Sequence, residues 1–132
     1  MLEAKDLHKT YRLAANELHV LRGINVAIEE GDVAAIVGPS GAGKSTLLHI
    51  LGALDKPSSG KVTLEGEEIY SLSENQRARM RNTRMGFIFQ FYHLLPEFTA
   101  LENVILPAVV KANVGNDSSV RTKALELLDR VG

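Results

Sequence analysis

The sequence contains no cysteine. That excludes a disulfide framework and any thiolate metal site, and it suits a reducing compartment. A charge bias is also missing: 15 Lys and Arg stand against 16 Asp and Glu, for a net charge of −1. Nothing in that balance draws the chain to nucleic acid or to an anionic membrane. Long apolar runs are absent as well. The longest, Val33 to Val37, falls far short of the ~20 residues that a membrane span needs. The start, Met1-Leu2-Glu3-Ala4-Lys5-Asp6, mixes charge with small apolar residues and has no signal-peptide core. A cytoplasmic protein with no direct membrane span is expected, any membrane link coming through a partner. His8, His19, His49 and His93 show no metal-ligand spacing, so no metal site built on histidine is expected.

What is present reads as one domain of alternating element types. Its 132 residues allow a modest core. Leu2 to Leu7 predicts a short strand. Ile24, Val26 and Ile28 alternate with Asn25, Ala27 and Glu29, the period of a half-buried strand, and Glu30-Gly31-Asp32 predicts a turn. Val33-Ala34-Ala35-Ile36-Val37 is apolar throughout, as in a parallel strand covered on both faces. Leu47, Ile50, Leu51 and Leu54 recur at helical spacing, until Lys56-Pro57-Ser58-Ser59-Gly60 makes a loop. Val62 and Leu64 predict another strand, closed by Glu65-Gly66-Glu67. Ser73 with Gln76, and Thr99 with Glu102, have capping-box spacing. The first predicts a helix from Glu74 to about Asn82, the second a helix that Pro107 should kink. Gly86-Phe87-Ile88-Phe89 predicts a short strand. Asn113 to Ser119 predicts a surface loop. A last helix should carry Val120, Ala124, Leu127, Leu128 and Val131 on one face, with Gly132 as its C-cap glycine. The expected fold class is α/β, a phosphate-binding domain with an antiparallel β subdomain and the beginning of a helical one.

Gly38-Pro39-Ser40-Gly41-Ala42-Gly43-Lys44-Ser45 matches G-x-x-x-x-G-K-[ST] at every fixed position. Glycines let backbone N–H groups close around a phosphate, and the helix that follows turns its positive dipole end toward it. Lys44 supplies a mobile cation for the β- and γ-phosphates of a nucleotide. Ser45 offers a hydroxyl to Mg²⁺, and Thr46 a hydroxyl near the α-phosphate. An ordinary glycine turn before a helix is the bland alternative. The setting argues against it, since the match is expected to follow a buried apolar strand and to open an apolar-periodic helix. The loop alone does not choose among kinases, GTPases and transport ATPases.

The surrounding residues do choose. Val20-Leu21-Arg22-Gly23-Ile24, the run from Glu30 to Leu48, and Gly52-Ala53-Leu54-Asp55-Lys56-Pro57-Ser58-Ser59-Gly60 resemble the ATP-binding subunits of ABC transporters. Gly86-Phe87-Ile88-Phe89-Gln90 resembles the strand that leads into that family's Q-loop. The stretch from Phe91 to Val104 is similar to the lipoprotein-releasing (LolD-type) group, within a wider set that includes macrolide-exporter and cell-division ATPases. The resemblance implies a P-loop NTPase fold, with 1–132 as the N-terminal part of one ABC ATPase domain. The phosphate loop would be 38–45, the Q-loop around 90, and the helical subdomain would start in about 93–132.

Residue by residue, the resemblance implies that Gln90 reaches Mg²⁺ or the attacking water through its amide oxygen and couples the site to the transmembrane partner. A polar residue ending a strand is the other reading of Gln90. Tyr11 falls where the family places an aromatic that stacks on adenine, or else it is a strand-end core aromatic. Leu94, Leu95 and Pro96 lie where the family receives a membrane subunit, and a buried loop is the plain alternative. Arg77, Arg79, Arg81 and Arg84 are expected on a solvated helix face. The implied cofactors are ATP and Mg²⁺. Implied partners are transmembrane permease subunits and a second ATPase copy, a homodimer of the full-length form. Such an assembly would hold the protein on the inner membrane peripherally, and no nucleic acid is expected. Residues 1–132 contain no Leu-Ser-Gly-Gly-Gln-type signature, no apolar strand ending in Asp-Glu and no switch histidine after one. This stretch alone is therefore expected to bind ATP with little hydrolysis.

Overall fold

A computed structural model describes residues 1–13, 16–112 and 118–132. Chain contacts divide it into two compact units, 1–78 and 79–132. The first unit is built on a four-stranded antiparallel sheet in the order β2-β1-β3-β4. Its strands are β1 (Leu2–Leu13), β2 (Asn16–Ile28), β3 (Ser59–Leu64) and β4 (Glu67–Glu68). Between β2 and β3 runs helix α1 (Lys44–Leu51). Side chains from both elements make the core: Ala4, Leu7, Leu21 and Val62 of the sheet, Ile50 and Leu51 of α1, and Ile69 beyond β4. Leu7, Ile50, Ile69 and Val62 are fully buried. Each such side chain contributes roughly 1.5–3 kcal/mol relative to exposure.

The central strand β1 is longer than Leu2 to Leu7 and is not regular. Pairing jumps from Ala4↔Val26 to Leu7↔Ile24 on one side and from Lys5↔Lys61 to His8↔Ser59 on the other. Both jumps place an extra residue on β1, a bulge. Asp6 sits there at φ 49, and its N–H is taken by Asn25 Oδ1 at 2.9 Å. Gly60 faces this point at φ 93, where a Cβ would lie 2.3 Å from the Asp6 carbonyl oxygen. Only glycine permits that approach. The bulge reverses the parity of the strand. Before it the inward residue is Ala4, and after it Leu7 and Lys9 are buried. Tyr11 follows on the same parity.

Helix α1 ends in a Schellman motif. Ala53 adopts φ 58, Leu54 N–H bonds the His49 carbonyl and Ala53 N–H bonds the Ile50 carbonyl. Leu54 therefore lies outside the helix and is exposed, against the helical spacing that included it. Strands β3 and β4 are joined by Glu65-Gly66, both at positive φ (52 and 83), as two-residue hairpins require. The turn at 30–32 forms as expected, with Asp32 N–H on the Glu29 carbonyl and Glu29 N–H on Asp32 Oδ2.

Two expected strands do not form. Residues 33–37 and 86–89 are not paired with any strand among the described residues, and Val33, Val37 and Ile88 are almost wholly exposed. A strand is a ladder property, and an all-apolar run without a neighbour on either edge has no ladder to join.

The capping boxes are present as read. Helix α2 (Glu74–Arg84) starts with Ser73 N–H on Gln76 Oε1 at 2.9 Å and Gln76 N–H on Ser73 Oγ at 3.4 Å. Helix α3 (Ala100–Ala112) starts with Thr99 N–H on Glu102 Oε2 at 2.8 Å, answered by Glu102 N–H on Thr99 Oγ1 at 3.3 Å. Hydrogen bonds from the Thr99 hydroxyl and N–H hold the Glu102 carboxyl below its ordinary value. In the second unit α3 packs with α4 (Ser118–Asp129), on which Ala124 is buried. Leu127 and Val131, read as sharing a face with Ala124, are exposed. Gly132 stands at φ 104 with its N–H on the Leu128 carbonyl. Most of the loop expected at Asn113 to Ser119 lies outside the described residues, while Ser118 and Ser119 belong to α4. No described helix is long and apolar enough to cross a membrane.

Candidate nucleotide site

The phosphate loop runs from Gly38 directly into α1, whose first residue is Lys44. Gly43 precedes it at φ 86, and a Cβ there would stand 2.9 Å from Val20 Cγ1 and 3.2 Å from the Val20 carbonyl oxygen. Positive φ and contact with β2 both demand glycine, so the loop is seated against the sheet. No side chain caps α1. Its first N–H groups and positive dipole end are left for an anion. Lys44 Nζ donates to the carbonyl oxygens of Gly38 (2.9 Å) and Pro39 (2.7 Å), which holds the ammonium across the loop. Ser45 is exposed, Thr46 is half-buried, and Pro39, Ser40, Gly41 and Ala42 are exposed.

The loop shares a cavity of about 350 Å³ with β1 and β2: Tyr11, Leu18 and Val20 line it together with residues 40–46. That size suits a small-molecule site. The donor set fits a phosphate chain with a divalent cation: backbone N–H groups, one ammonium and a helix-terminal hydroxyl. Tyr11 is partly exposed, so it is no core aromatic.

A cluster that the sequence did not reveal stands behind Tyr11. Its hydroxyl donates to Asp55 Oδ2 at 2.8 Å. Lys9 Nζ donates to Asp55 Oδ1 at 2.7 Å and to the Lys56 carbonyl at 2.7 Å, and lies 4.8 Å from the Tyr11 ring centroid. Lys9 is the buried charged side chain of the described residues. Burial alone would raise the Asp55 carboxyl. Bonds from Lys9 and Tyr11, the Lys9 charge and the Lys56 N–H outweigh burial and hold it below its ordinary 3.8. The only sequence signal was that Asp55 lies in one of the family-like segments, since 46 residues separate it from Lys9.

Gln90 lies in the second unit, exposed, at a bend. Around it the Phe87 and Phe89 rings stack at 5.6 Å, and Phe89 meets His93 edge-on at 5.0 Å. Leu94 and Leu95 are exposed, so the buried-loop reading fails for them. Asn103 holds this loop: Leu95 N–H bonds its Oδ1 at 2.9 Å, and its Nδ2 donates to the Leu95 and Phe98 carbonyls at 3.1 Å each. Arg77 departs from the expected solvated face. It lies over the Tyr70 ring at 5.6 Å and pairs with Glu74 and the Leu72 carbonyl.

Comparison with known proteins decides the family. The ABC transporter family profile matches residues 21–132. The chain belongs to the ABC transporter family. Over all 132 residues it is 47% identical to the lipoprotein-releasing system ATP-binding protein LolD of Legionella pneumophila (strain Paris), covering 57% of that protein. It is 48% identical to LolD 1 of Caulobacter vibrioides, covering 56%. It thus spans little more than half the length of these relatives. Among solved structures, the ATP-binding cassette MJ0796 in a dimeric post-hydrolysis state with ADP and Pi superimposes with a TM-score of 0.89 at 38% identity. That match covers 98% of this chain and 56% of the cassette. The ABC cassette fold follows, with the antiparallel sheet and helices described above.

Proposed function

We propose that this chain is the nucleotide-gripping N-terminal part of the ATP-binding subunit of a lipoprotein-releasing ABC transporter. The observation that carries the reading is the cavity that joins Tyr11 to the phosphate loop and Lys44. The triphosphate would lie on the N–H groups of residues 40–46 at the start of α1, with Lys44 on its β- and γ-phosphates and Thr46 near the α-phosphate. Tyr11 would present a ring face to the base, a contact that needs only a π-system. Mg²⁺, when bound, neutralises charge on the β- and γ-oxygens. Ser45 Oγ would hold it. The LolD relatives favour the lipoprotein-releasing group over the macrolide-exporter and cell-division groups.

Residues 1–132 bind nucleotide in this reading without appreciable turnover, because no Asp-Glu pair after an apolar strand and no signature motif lie among them. Each electrostatic group of this kind is typically worth about 10²- to 10³-fold in rate. Calorimetry with Mg-ATP should show binding that Lys44→Ala weakens by at least tenfold and Lys44→Arg does not restore, since the fork cannot replace a point charge. Phosphate release from the same samples should stay near background. Unchanged affinity in Lys44→Ala, or release comparable to a full-length relative, would contradict the reading.

The exposed loop at Leu94 and Leu95 is the proposed seat of a permease subunit, in an assembly with a second ATPase copy at the inner membrane. Its support is apolar exposure on a loop that Asn103 keeps in shape, a partner-type surface. Leu94→Glu should abolish capture by permease subunits while ATP binding stays within about twofold. Undisturbed assembly in that variant would refute the seat.

A further inference from the structure

We propose that Asp55, with Lys9, is a positioning residue that fixes the Tyr11 ring as the base platform of the nucleotide cavity. The inference rests on the reading of the cavity as a nucleotide site. A tyrosine as exposed as Tyr11 normally has several rotamers open to it, and ordering it on binding lowers affinity. Here two contacts select one. The hydroxyl is tied to Asp55 Oδ2 at 2.8 Å. The Lys9 ammonium sits 4.8 Å from the ring centroid, and its bonds to Asp55 Oδ1 and the Lys56 carbonyl, both 2.7 Å, hold it there. One ring face is thereby taken by a cation, which leaves the other for a single stacked base.

Asp55 is itself anchored to the element that carries the phosphate loop. Its N–H and that of Leu54 both bond the His49 carbonyl at the end of α1. The Tyr70 hydroxyl donates to the carbonyls of Asp55 and Ile50. The loop enters α1 at Lys44 and the helix leaves at Leu51. Eight residues of helix, about 12 Å long, therefore link the phosphate-binding end to the carboxylate that orients the ring. Base platform and phosphate cradle are spaced by a rigid element rather than by the β1–β2 pair alone. The bulge at Asp6 makes this possible, since it turns Leu7, Lys9 and Tyr11 to the face of buried Ala4.

Asp55 could instead serve only as counter-ion to the buried Lys9, so the test must read the base and not the fold. Affinities of the full chain for Mg-ATP and for inorganic triphosphate with Mg²⁺ are measured by calorimetry, and their ratio isolates the base. The unaltered protein should prefer ATP. Tyr11→Ala should cut the ratio about fivefold, and Asp55→Ala and Tyr11→Phe about threefold each. Triphosphate affinity should not change. The double variant Tyr11→Phe/Asp55→Ala should lose no more than either single one, because both remove the same bond. A preserved ratio in Asp55→Ala, or losses that multiply in the double variant, would overturn the inference and leave the nucleotide site standing. Loss of triphosphate binding in Asp55→Ala would also overturn it, showing that Asp55 acts on the loop. No preference for ATP in the unaltered protein would remove Tyr11 as a base platform, and Asp55's role with it.

Discussion

Lys9 shows how one side chain can be both liability and tool. A buried ammonium is costly unless paired and hydrogen-bonded. Lys9 is paired to Asp55 and bonded to a carbonyl, and it lies over Tyr11. The lowered Asp55 carboxyl makes this pair sensitive to acid. A carboxyl depressed in the folded state contributes stability that is complete above its ordinary value of 3.8 and is lost as pH falls through the depressed one. The difference in thermal midpoint between the protein and its Asp55→Asn variant should therefore shrink from about pH 5 to about pH 3. A difference that stays constant across that range would show that the ionised pair adds nothing to the fold. None of this was legible in the sequence. Lys9 alternates like any strand residue, and its partner is remote along the chain.

Among the elements, what was legible is what is local. The capping boxes of α2 and α3 are closed by residues three apart, so spacing alone revealed them. Removing the cap hydroxyl leaves helix N–H groups without an acceptor. Ser73→Ala and Thr99→Ala should each cost about 1 kcal/mol, measured by denaturant unfolding. A change below about 0.3 kcal/mol in both would mean that water serves these ends equally well. The phosphate loop was legible for a similar reason: Gly43 and Lys44 are demanded by one turn and one helix start. The bulge was not, because the reversal of parity at Asp6 needs Gly60 of another strand to come close. Val33–Val37 and Gly86–Phe89 read as strands on composition, yet composition cannot supply the neighbour that turns an apolar run into a ladder.

For the molecule as a whole, those two runs carry the main physical consequence. Val33 and Ile88 are fully solvent-exposed, Val37 nearly so, and Phe87 and Phe89 are exposed as well. Their backbone N–H and C=O groups join no sheet among the described residues. Extended apolar segments with free ladder groups are templates for pairing with another chain. A core as small as that of the first unit leaves little stability to oppose it. The net charge of −1 adds almost no repulsion between copies. The 132-residue chain should therefore self-associate in a concentration-dependent way, which sedimentation velocity at about 5 and about 100 µM would detect. Lys at Val33 and Ile88 (Val33→Lys with Ile88→Lys) should suppress it, since both side chains already lie in water and a charge there blocks edge pairing. Calorimetric ATP affinity should survive both substitutions, because neither residue lines the cavity. A monomer at both concentrations would show that these apolar runs are protected without a pairing strand. Association undiminished in the double variant would place the sticky surface elsewhere, with exposed Phe91, Tyr92 and Leu94 the next segment to charge.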